Sequence, residues 1–303
     1  MPMLTPLPIS LARPLAVAQA RERGVSPRRL RAPDLTRPFR GVVCTRQLDF
    51  VGRCHAYMQR LPPGGFVSGP TAARLYGVPL PAELERDDAP LDVSVPAPGR
   101  APRVSGVRGH SVRIHLGDVG SVAGVPASAP ARWWCELSSH LDVEALVTVG
   151  DALLHRRLGG TRLDGLAAAV DRYPSRRWRR RLVEALPLLD DRAESPQESR
   201  LRTRLVRAGV SGMIANPTIT TATGRVYRGD LTFPEQRVIL EYQGDVHRPV
   251  HRFRADMTRQ LDLQADGWTV VYLGPGDLDD HQLVRRVRAI LALHTAPPPS
   301  PPS

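Results

Sequence analysis

The 303-residue sequence predicts an α/β protein, with a mixed α+β N-terminal domain and a C-terminal region in which strands alternate with helices. Two short runs rich in β-branched and aromatic residues flank Pro234-Glu235, a pattern typical of a β-hairpin. An apolar run at residues 268–273 predicts a buried strand, and amphipathic segments before and after it predict helices. From residue 195 onward the order is helix, three strands, helix, strand, helix, so we expect an α/β/α sandwich there.

Length, hydropathy and cysteine content limit the possible function classes. The chain is long enough for two domains, and its hydrophobic fraction of 42% supports packed cores. No apolar run approaches the roughly 20 residues of a membrane span. The proline-interrupted N-terminus lacks an early basic region and makes a poor signal peptide, so we expect a cytoplasmic protein with no membrane association. Cys44, Cys54 and Cys135 fit neither a zinc site nor a disulfide framework and are expected to be buried thiols.

The charge is strongly positive. The formal net charge is +12, and because the sequence contains no lysine, all 42 basic residues are arginine. A GC-rich genome offers one explanation of this bias. Net positive charge nevertheless favours a polyanionic partner, and arginine is well suited to phosphate, so we expect the partner to be DNA.

The first 60 residues contain a short basic segment. Ser26-Pro27 predicts a helix start, followed by Arg28, Arg29 and Arg31, and residues 38–43 predict a wing strand. This pattern resembles a degenerate form of the winged-helix region of AbiEi-type antitoxins. The resemblance implies that the three arginines contact nucleic acid. A solvated basic helix on an ordinary linker is the alternative.

Residues 61–190 are expected to form an α+β and helical region. The string FVSGPTAARLYGVPLP at residues 66–81 predicts a short helix that Gly77 ends, and it resembles a segment of AbiEi-like proteins and their actinobacterial relatives. Trp133 and Trp134 are expected in the core. The predicted strands are residues 91–95, 107–116 and 119–125, and the predicted helices are residues 129–141, 143–157, 163–173 and 175–186.

The last of these helices carries an arginine cluster around Trp178. Five of six positions are arginine, which exceeds what a single exposed face needs. The cluster is therefore a candidate phosphate contact, with a solvated interdomain helix as the alternative. Its members are Arg176, Arg177, Arg179, Arg180 and Arg181.

A helix start follows at Ser195-Pro196-Gln197-Glu198, which combines a capping box with proline at the first helical position. In this motif the Glu198 carboxylate is expected to accept a hydrogen bond from the Ser195 backbone N–H. Leu201 and Leu205 follow at helical spacing, and Gly209 is expected to close the helix.

The predicted hairpin brings two carboxylates together. If a four-residue loop follows Phe233, this residue pairs with Val238 and Asp230 falls opposite Glu241, with Gln243 two residues further along the same face. Strand pairs avoid like charges directly opposite each other. Hard oxygen ligands that converge in this way suit Mg²⁺ or Mn²⁺, which would remove the repulsion.

These residues resemble a known family. Asp230, ten intervening residues and Glu241-Tyr242-Gln243 resemble the PD-(D/E)xK nuclease core, with Gln243 in place of the usual lysine. The longer string DL-x-x-P-x-x-R-V-I-L-EYQGDxHR, followed by DMTRQxxLxxDGW, resembles the domain of unknown function grouped with very-short-patch-repair (Vsr-like) endonucleases. The resemblance covers residues 194–293 and implies a restriction-endonuclease-like domain over residues 191–295. Residues 296–303 form a Pro/Ser tail without a folding core.

The resemblance also implies site roles. Asp230 and Glu241 would bind the metal, and Glu198 would be a third carboxylate, although its capping role is complete without metal. Gln243 would position a water, since it supplies no charge and cannot be a base. His247 would act as a base near neutral pH or as a neutral orienting group.

Arg259 shares a face of the predicted following helix with other polar residues and is expected to contact nucleic acid. Two functions are open. The first is a metal-dependent DNA endonuclease targeted by its N-terminal half, and the Asp230–Glu241 pair favours it. The second is a non-catalytic DNA-binding transcriptional regulator or antitoxin-like protein with a degenerate nuclease fold, which Gln243 and the N-terminal half favour. An interaction module without a nucleic-acid role is a third possibility.

Overall fold

The structure is a computed structural model that describes residues 14–244 and 250–294. Up to residue 190 the helices and strands, in chain order, are β1 (Leu15–Ala16), α1 (Val17–Glu22), β2 (Val42–Val43), α2 (Phe50–Met58), β3 (Phe66–Val67), α3 (Gly69–Leu75), α4 (Ala82–Glu85), β4 (Leu91–Pro96), β5 (Val107–Val112), β6 (Val119–Val122), β7 (Val125–Ser128), α5 (Pro130–Leu137), α6 (Val143–His155), α7 (Leu163–Arg172) and α8 (Arg176–Ala185). The later ones are α9 (Pro196–Arg207), β8 (Ile214–Ala215), β9 (Thr218–Thr220), β10 (Val226–Arg228), β11 (Leu231–Phe233), β12 (Val238–Tyr242), α10 (Val250–Ala265), β13 (Thr269–Leu273), α11 (Pro275–Asp279) and α12 (Leu283–Leu293).

The described residues divide into two compact units. Unit 1 comprises residues 14–140 and 158–179, and unit 2 comprises residues 141–157, 180–244 and 250–294. The division falls within α8. Unit 2 therefore contains the segment that resembles a nuclease and also helix α6. The predicted C-terminal domain begins at residue 191, so it does not include α6.

Unit 1 is built on a five-stranded sheet with the order β5-β4-β3-β7-β6. Helices α3 and α5 pack together, and α3 also contacts strands β4 and β7. Trp133 and Trp134 are completely buried, which confirms their expected place in the core. Cys44, Cys54 and Cys135 are buried free thiols, as expected.

The N-terminal part of unit 1 differs in detail from the prediction. The expected basic helix at Arg28 is a single 3-10 turn, Arg29–Arg31, whose first amide is capped by the Ser26 hydroxyl at 3.2 Å. The predicted wing strand is reduced to β2, which pairs antiparallel with β1. The strand expected at residues 107–116 ends at Val112, which pairs with Pro96, the last residue of its partner strand β4.

Unit 2 contains a four-stranded mixed sheet with the order β13-β12-β11-β8. Leu240 on β12 lies in an apolar cluster with residues of α9 and α12, whereas its neighbour Ile239 packs against Leu263 of α10. Helices therefore cover both faces of the sheet, and the predicted α/β class is confirmed. A separate two-stranded ribbon joins β9 to β10.

The register of the central hairpin is also confirmed. Phe233 pairs with Val238, and Leu231 pairs with Leu240. The loop between β11 and β12 is residues 234–237, as predicted, and it closes with Arg237 in the left-handed region at a φ of 51°. The strands thus place Asp230 and Glu241 at the same end of the hairpin.

Helix α6 is held to α9 by a buried ion pair. Arg202 donates to Asp151 at 2.6 Å and to the Leu188 carbonyl at 2.6 Å, and the second Asp151 oxygen accepts from the Asp190 amide at 2.8 Å. The Asp151 side chain is only 1% exposed. Both charges of the pair are therefore hydrogen-bonded within unit 2.

We expect Asp151→Ala to destabilise the protein by about 3–5 kcal/mol, because it leaves the Arg202 charge buried without its partner. Chemical denaturation of the full chain measures this loss. Asp88→Asn is the control, since Asp88 pairs with Arg86 on the surface of unit 1, and its unfolding should resemble that of the wild type. Equal stability of the Asp151→Ala variant and the wild type would contradict this role for the ion pair.

Candidate carboxylate site

The site is built around Asp230, the residue that precedes β11. Its Oδ2 accepts a hydrogen bond from the backbone N–H of Tyr242 at 2.8 Å, which links the start of β11 to the end of β12. The hairpin register continues from the Leu231–Leu240 pair, so Glu241 is the residue opposite Asp230. No hydrogen bond joins Asp230 Oδ1 to any residue in the described part of the chain.

The environment of Asp230 disfavours its charge. Burial raises the pKa of its carboxyl group to about 6, and the negative charges of Glu198 and Glu241 add to the rise. The hydrogen bond from Tyr242 and the positive charge of Arg259 oppose it. Asp230 therefore lies within the electrostatic influence of two further carboxylates, those of Glu198 and Glu241.

Glu198 lies in the first turn of α9 and is 8% exposed. The Ser195 hydroxyl accepts from the Glu198 amide at 3.2 Å, as the capping box predicts. The reciprocal bond was predicted wrongly, because Glu198 Oε2 accepts from the backbone N–H of Glu194 at 3.0 Å rather than from that of Ser195. The same oxygen also accepts from the Asn216 side chain at 2.6 Å, so it serves two donors that lie outside the helix.

Asn216 was missed by the sequence analysis. Its side chain donates to Glu198 and to the Arg192 carbonyl, and its backbone N–H donates to the Asp230 carbonyl at 2.9 Å. It therefore joins two of the three carboxylate residues. Its φ of 48° lies in the left-handed region, which asparagine tolerates better than most residues. The Asn-Pro dipeptide with Pro217 was the available signal of a turn at this position.

Glu241 is paired with Arg259, which was predicted to contact nucleic acid. Arg259 Nη1 donates to Glu241 Oε2 at 2.8 Å, Nη2 donates to Oε1, and Nη2 also donates to the Arg228 carbonyl at 2.6 Å. The pair is largely buried, with side-chain exposures of 20% for Arg259 and 12% for Glu241. The sequence contained no signal for this pairing, which depends on how α10 lies against β12.

The remaining predicted site residues have less defined contacts. The Gln243 backbone N–H donates to the Leu273 carbonyl at 2.7 Å, and its side chain is half-buried. His247 lies outside the described residues. Within residues 14–244 and 250–294, no three His, Cys, Asp or Glu side chains form a ready-made metal-ion cluster.

Apart from Arg259, the predicted nucleic-acid contacts fall into two groups. In the N-terminal turn, Arg28 and Arg31 are exposed, whereas Arg29 is held by Asp34 through two hydrogen bonds of 2.7 and 2.6 Å. In α8, Arg176 and Arg177 are exposed, and the Arg177 guanidinium lies 4.3 Å from the centre of the Trp178 ring. The other three arginines of α8 are engaged, Arg179 with Asp171, Arg180 with Glu184 and Arg181 with the Leu141 carbonyl, each at 3.0 Å.

Comparison with known proteins gives relatives without a stated activity. No family model matches the chain. Two proteins named as uncharacterized, MT2308 and Rv2248 from two strains of Mycobacterium tuberculosis, are each 29% identical over 268 residues, covering 86% of this chain and 91% of theirs. The crystal structure of the RV2827C protein from Mycobacterium tuberculosis is 17% identical, with a TM-score of 0.41, and the match covers 63% of this chain and 76% of that one. The resemblances to Vsr-like and AbiEi-like proteins stay predictions.

None of the described helices is both long and apolar enough to cross a membrane.

The raised pKa of Asp230 predicts a pH-dependent effect of Asp230→Asn. Because the folded pKa of about 6 lies above the ordinary value of 3.8, the native state binds the proton more tightly, and wild-type stability should fall as pH rises between these values. The variant lacks this loss, so its free energy of unfolding relative to that of the wild type should rise by on the order of 1–2 kcal/mol from about pH 4 to pH 7. Denaturation at both pH values measures the difference.

Asp262→Asn is the control with the opposite sign. Hydrogen bonds from Tyr227 and Arg225 lower the pKa of Asp262, so its charge contributes stability above its ordinary pKa. This variant should be less stable than wild type at neutral pH, and its deficit should shrink as pH falls below about 4. A constant difference between Asp230→Asn and wild type across the range would show that the Asp230 pKa is not raised.

Proposed function

We propose that the protein is a divalent-metal-dependent endonuclease that hydrolyses phosphodiester bonds of DNA in the cytoplasm, with its active site in unit 2. The observation that carries the proposal is the placement of Asp230 and Glu241 at the same end of the hairpin, where burial, together with the negative charges of Glu198 and Glu241, raises the pKa of Asp230. Carboxylates are costly to group in this way without a counter-charge. A divalent cation is the counter-charge that such an oxygen-rich site suits best.

The donor set fits Mg²⁺ or Mn²⁺ in chemical type. Asp230 Oδ1 and Glu198 Oε1 accept no hydrogen bond from a described residue, and both belong to carboxylates that are held in place through their other oxygen. These two residues would hold the cation, joined by Glu241 if its oxygens were released by Arg259. When bound, the cation would polarise the scissile phosphate and lower the pKa of a water molecule.

The protein's own groups would orient the reaction. Tyr242 fixes Asp230 through its backbone N–H, and Asn216 fixes Glu198 through its side chain. Gln243 directly follows β12, two residues beyond Glu241, and would position the attacking water through its amide. His247 follows at four residues and is the proposed base, since its ordinary pKa lies near neutrality.

A second candidate function is a non-catalytic DNA-binding regulator of antitoxin type. It is favoured by the Arg259–Glu241 pair, which occupies both oxygens of one carboxylate, and by glutamine at the usual lysine position. The exposed Arg28, Arg31, Arg176 and Arg177 would serve either function as phosphate contacts.

A plasmid-nicking assay tests the first function. Wild-type protein should relax supercoiled plasmid with Mg²⁺ or Mn²⁺ and not with EDTA. Asp230→Ala should abolish cutting, and Glu198→Gln should reduce the rate by about a hundredfold or more, because several kcal/mol of transition-state stabilisation depend on the cation. Glu198→Gln keeps an oxygen that accepts from Glu194, so its melting should stay normal and the loss should be chemical.

Asp88→Asn serves as the matched control in the nicking assay, since it removes one carboxylate charge from the surface of unit 1. It should cut at the wild-type rate. Wild-type protein that binds plasmid but does not nick it with either metal would contradict the endonuclease and support the regulator.

Both functions predict DNA binding that weakens with salt. Each phosphate contact in duplex DNA adds about 0.9 to the slope of log affinity against log salt concentration. Replacing the exposed Arg176 and Arg177 with glutamine should therefore reduce the slope by up to about 1.8. Replacing Arg179 and Arg180, which have acidic partners, should reduce it less. An unchanged slope in the Arg176/Arg177 variant would make that face of α8 a solvated surface.

A further inference from the structure

The Arg259 guanidinium is already hydrogen-bonded to protein groups, unlike an exposed arginine that is available to bind phosphate. Its two terminal nitrogens are both directed at the two oxygens of Glu241, in the fork-to-fork geometry that makes arginine–carboxylate pairs strong. The Nη2 atom is also bonded to the Arg228 carbonyl at 2.6 Å. The centre of the Tyr227 ring lies 6.0 Å from the guanidinium carbon. The side chain is therefore anchored by β10 and β12 together.

The anchoring segment is itself connected to the other two carboxylates. Arg228 Nε donates to the Asn216 carbonyl at 3.2 Å, and its Nη2 is 2.6 Å from a carboxylate oxygen of Glu194. Asn216 in turn bonds Glu198 and the Asp230 carbonyl. Arg259 is thus one part of a continuous hydrogen-bonded network that links Glu241, Glu198 and Asp230.

The guanidinium and a metal ion would compete for the same electron pairs. Glu241 has two carboxylate oxygens, and Arg259 donates to both of them. A divalent cation bound to Glu241 would have to replace at least one of these hydrogen bonds. The cation and the Arg259 guanidinium would also repel each other if both contacted the same carboxylate. Arg259 also supplies positive charge that partly opposes the rise of the Asp230 pKa.

We propose that Arg259 is an internal counter-ion that keeps the carboxylate site closed until a divalent cation displaces it from Glu241. The inference rests on the proposed function and adds a regulatory step to the same site. Displacement frees the N–H donors that Arg259 now directs at Glu241, and these suit a phosphate of the DNA backbone. Metal binding and DNA binding should therefore strengthen each other through this one side chain, because coupling between two ligands is reciprocal.

Calorimetric titration of the full chain with Mn²⁺ tests this competition. Arg259→Gln removes the competing charge and should bind Mn²⁺ about tenfold more tightly than wild type. Arg259→Lys keeps the charge without the two-pronged geometry and should fall between the two. Arg225→Gln is the matched control, since Arg225 pairs with Asp262 on the neighbouring ribbon, and its Mn²⁺ affinity should equal that of wild type.

A second titration tests the coupling with DNA. Saturating Mn²⁺ should increase the affinity of the wild type for a short duplex, and this increase should shrink in Arg259→Gln. Wild-type and Arg225→Gln proteins should show the same increase. Thermal melting of each variant verifies that it is folded, and Arg259→Lys supplies the comparison if Arg259→Gln unfolds.

The outcomes separate this inference from the proposed function. Equal or weaker Mn²⁺ binding by both Arg259 variants, with clear binding by wild type, would overturn the counter-ion role and leave the endonuclease proposal standing. Absence of Mn²⁺ binding from the wild type and from both variants would overturn both. Tighter binding by Arg259→Gln together with reduced DNA coupling would support the inference.

Discussion

Repulsion among carboxylates is the constraint on which the candidate site depends. Asp230 and Glu241 are brought to the same end of a hairpin, and Asn216 links Glu198, in the first turn of α9, to the Asp230 backbone. The structure meets this charge in three ways: a backbone N–H on Asp230, an asparagine side chain on Glu198 and an arginine on Glu241. Among the described residues, Asp230 and Glu198 each keep one carboxylate oxygen without a hydrogen bond, whereas Arg259 donates to both oxygens of Glu241.

The same principle of paired charges organises the rest of unit 2. Helix α9 directs Arg202 inward to Asp151 of α6, and it directs Arg200 and Arg204 to Glu144 of the same helix at 3.0 and 2.8 Å. These pairs explain why α6 belongs with the α/β sandwich although it lies far upstream in the chain. An arginine-rich sequence can therefore build a fold in which many of its cations are already used, and net charge overstates how many are available to DNA.

Local chemistry predicted much of this fold. Proline in the turn and alternating apolar residues predicted the Phe233–Val238 register, and glycine after an apolar helical pattern predicted the end of α9, where Gly209 has a φ of 80°. The two buried tryptophans also followed from the pattern of their helix. The pairing of Arg259 with Glu241 could not be predicted, because it depends on the placement of α10 against β12. The role of Asn216 could not be predicted either, because its partners Arg192, Glu198 and Asp230 are brought to it only by the tertiary fold.

The proposed cation site consists of Asp230 and Glu198, and Arg259 controls it through its hydrogen bonds to Glu241. Anomalous scattering at the manganese edge, from crystals soaked in Mn²⁺, tests this proposal most directly. We predict a peak bonded to oxygens of Asp230 and Glu198, with the Arg259 guanidinium turned away from Glu241. Crystals that show no peak at these residues, with Arg259 still bonded to Glu241, would contradict the account.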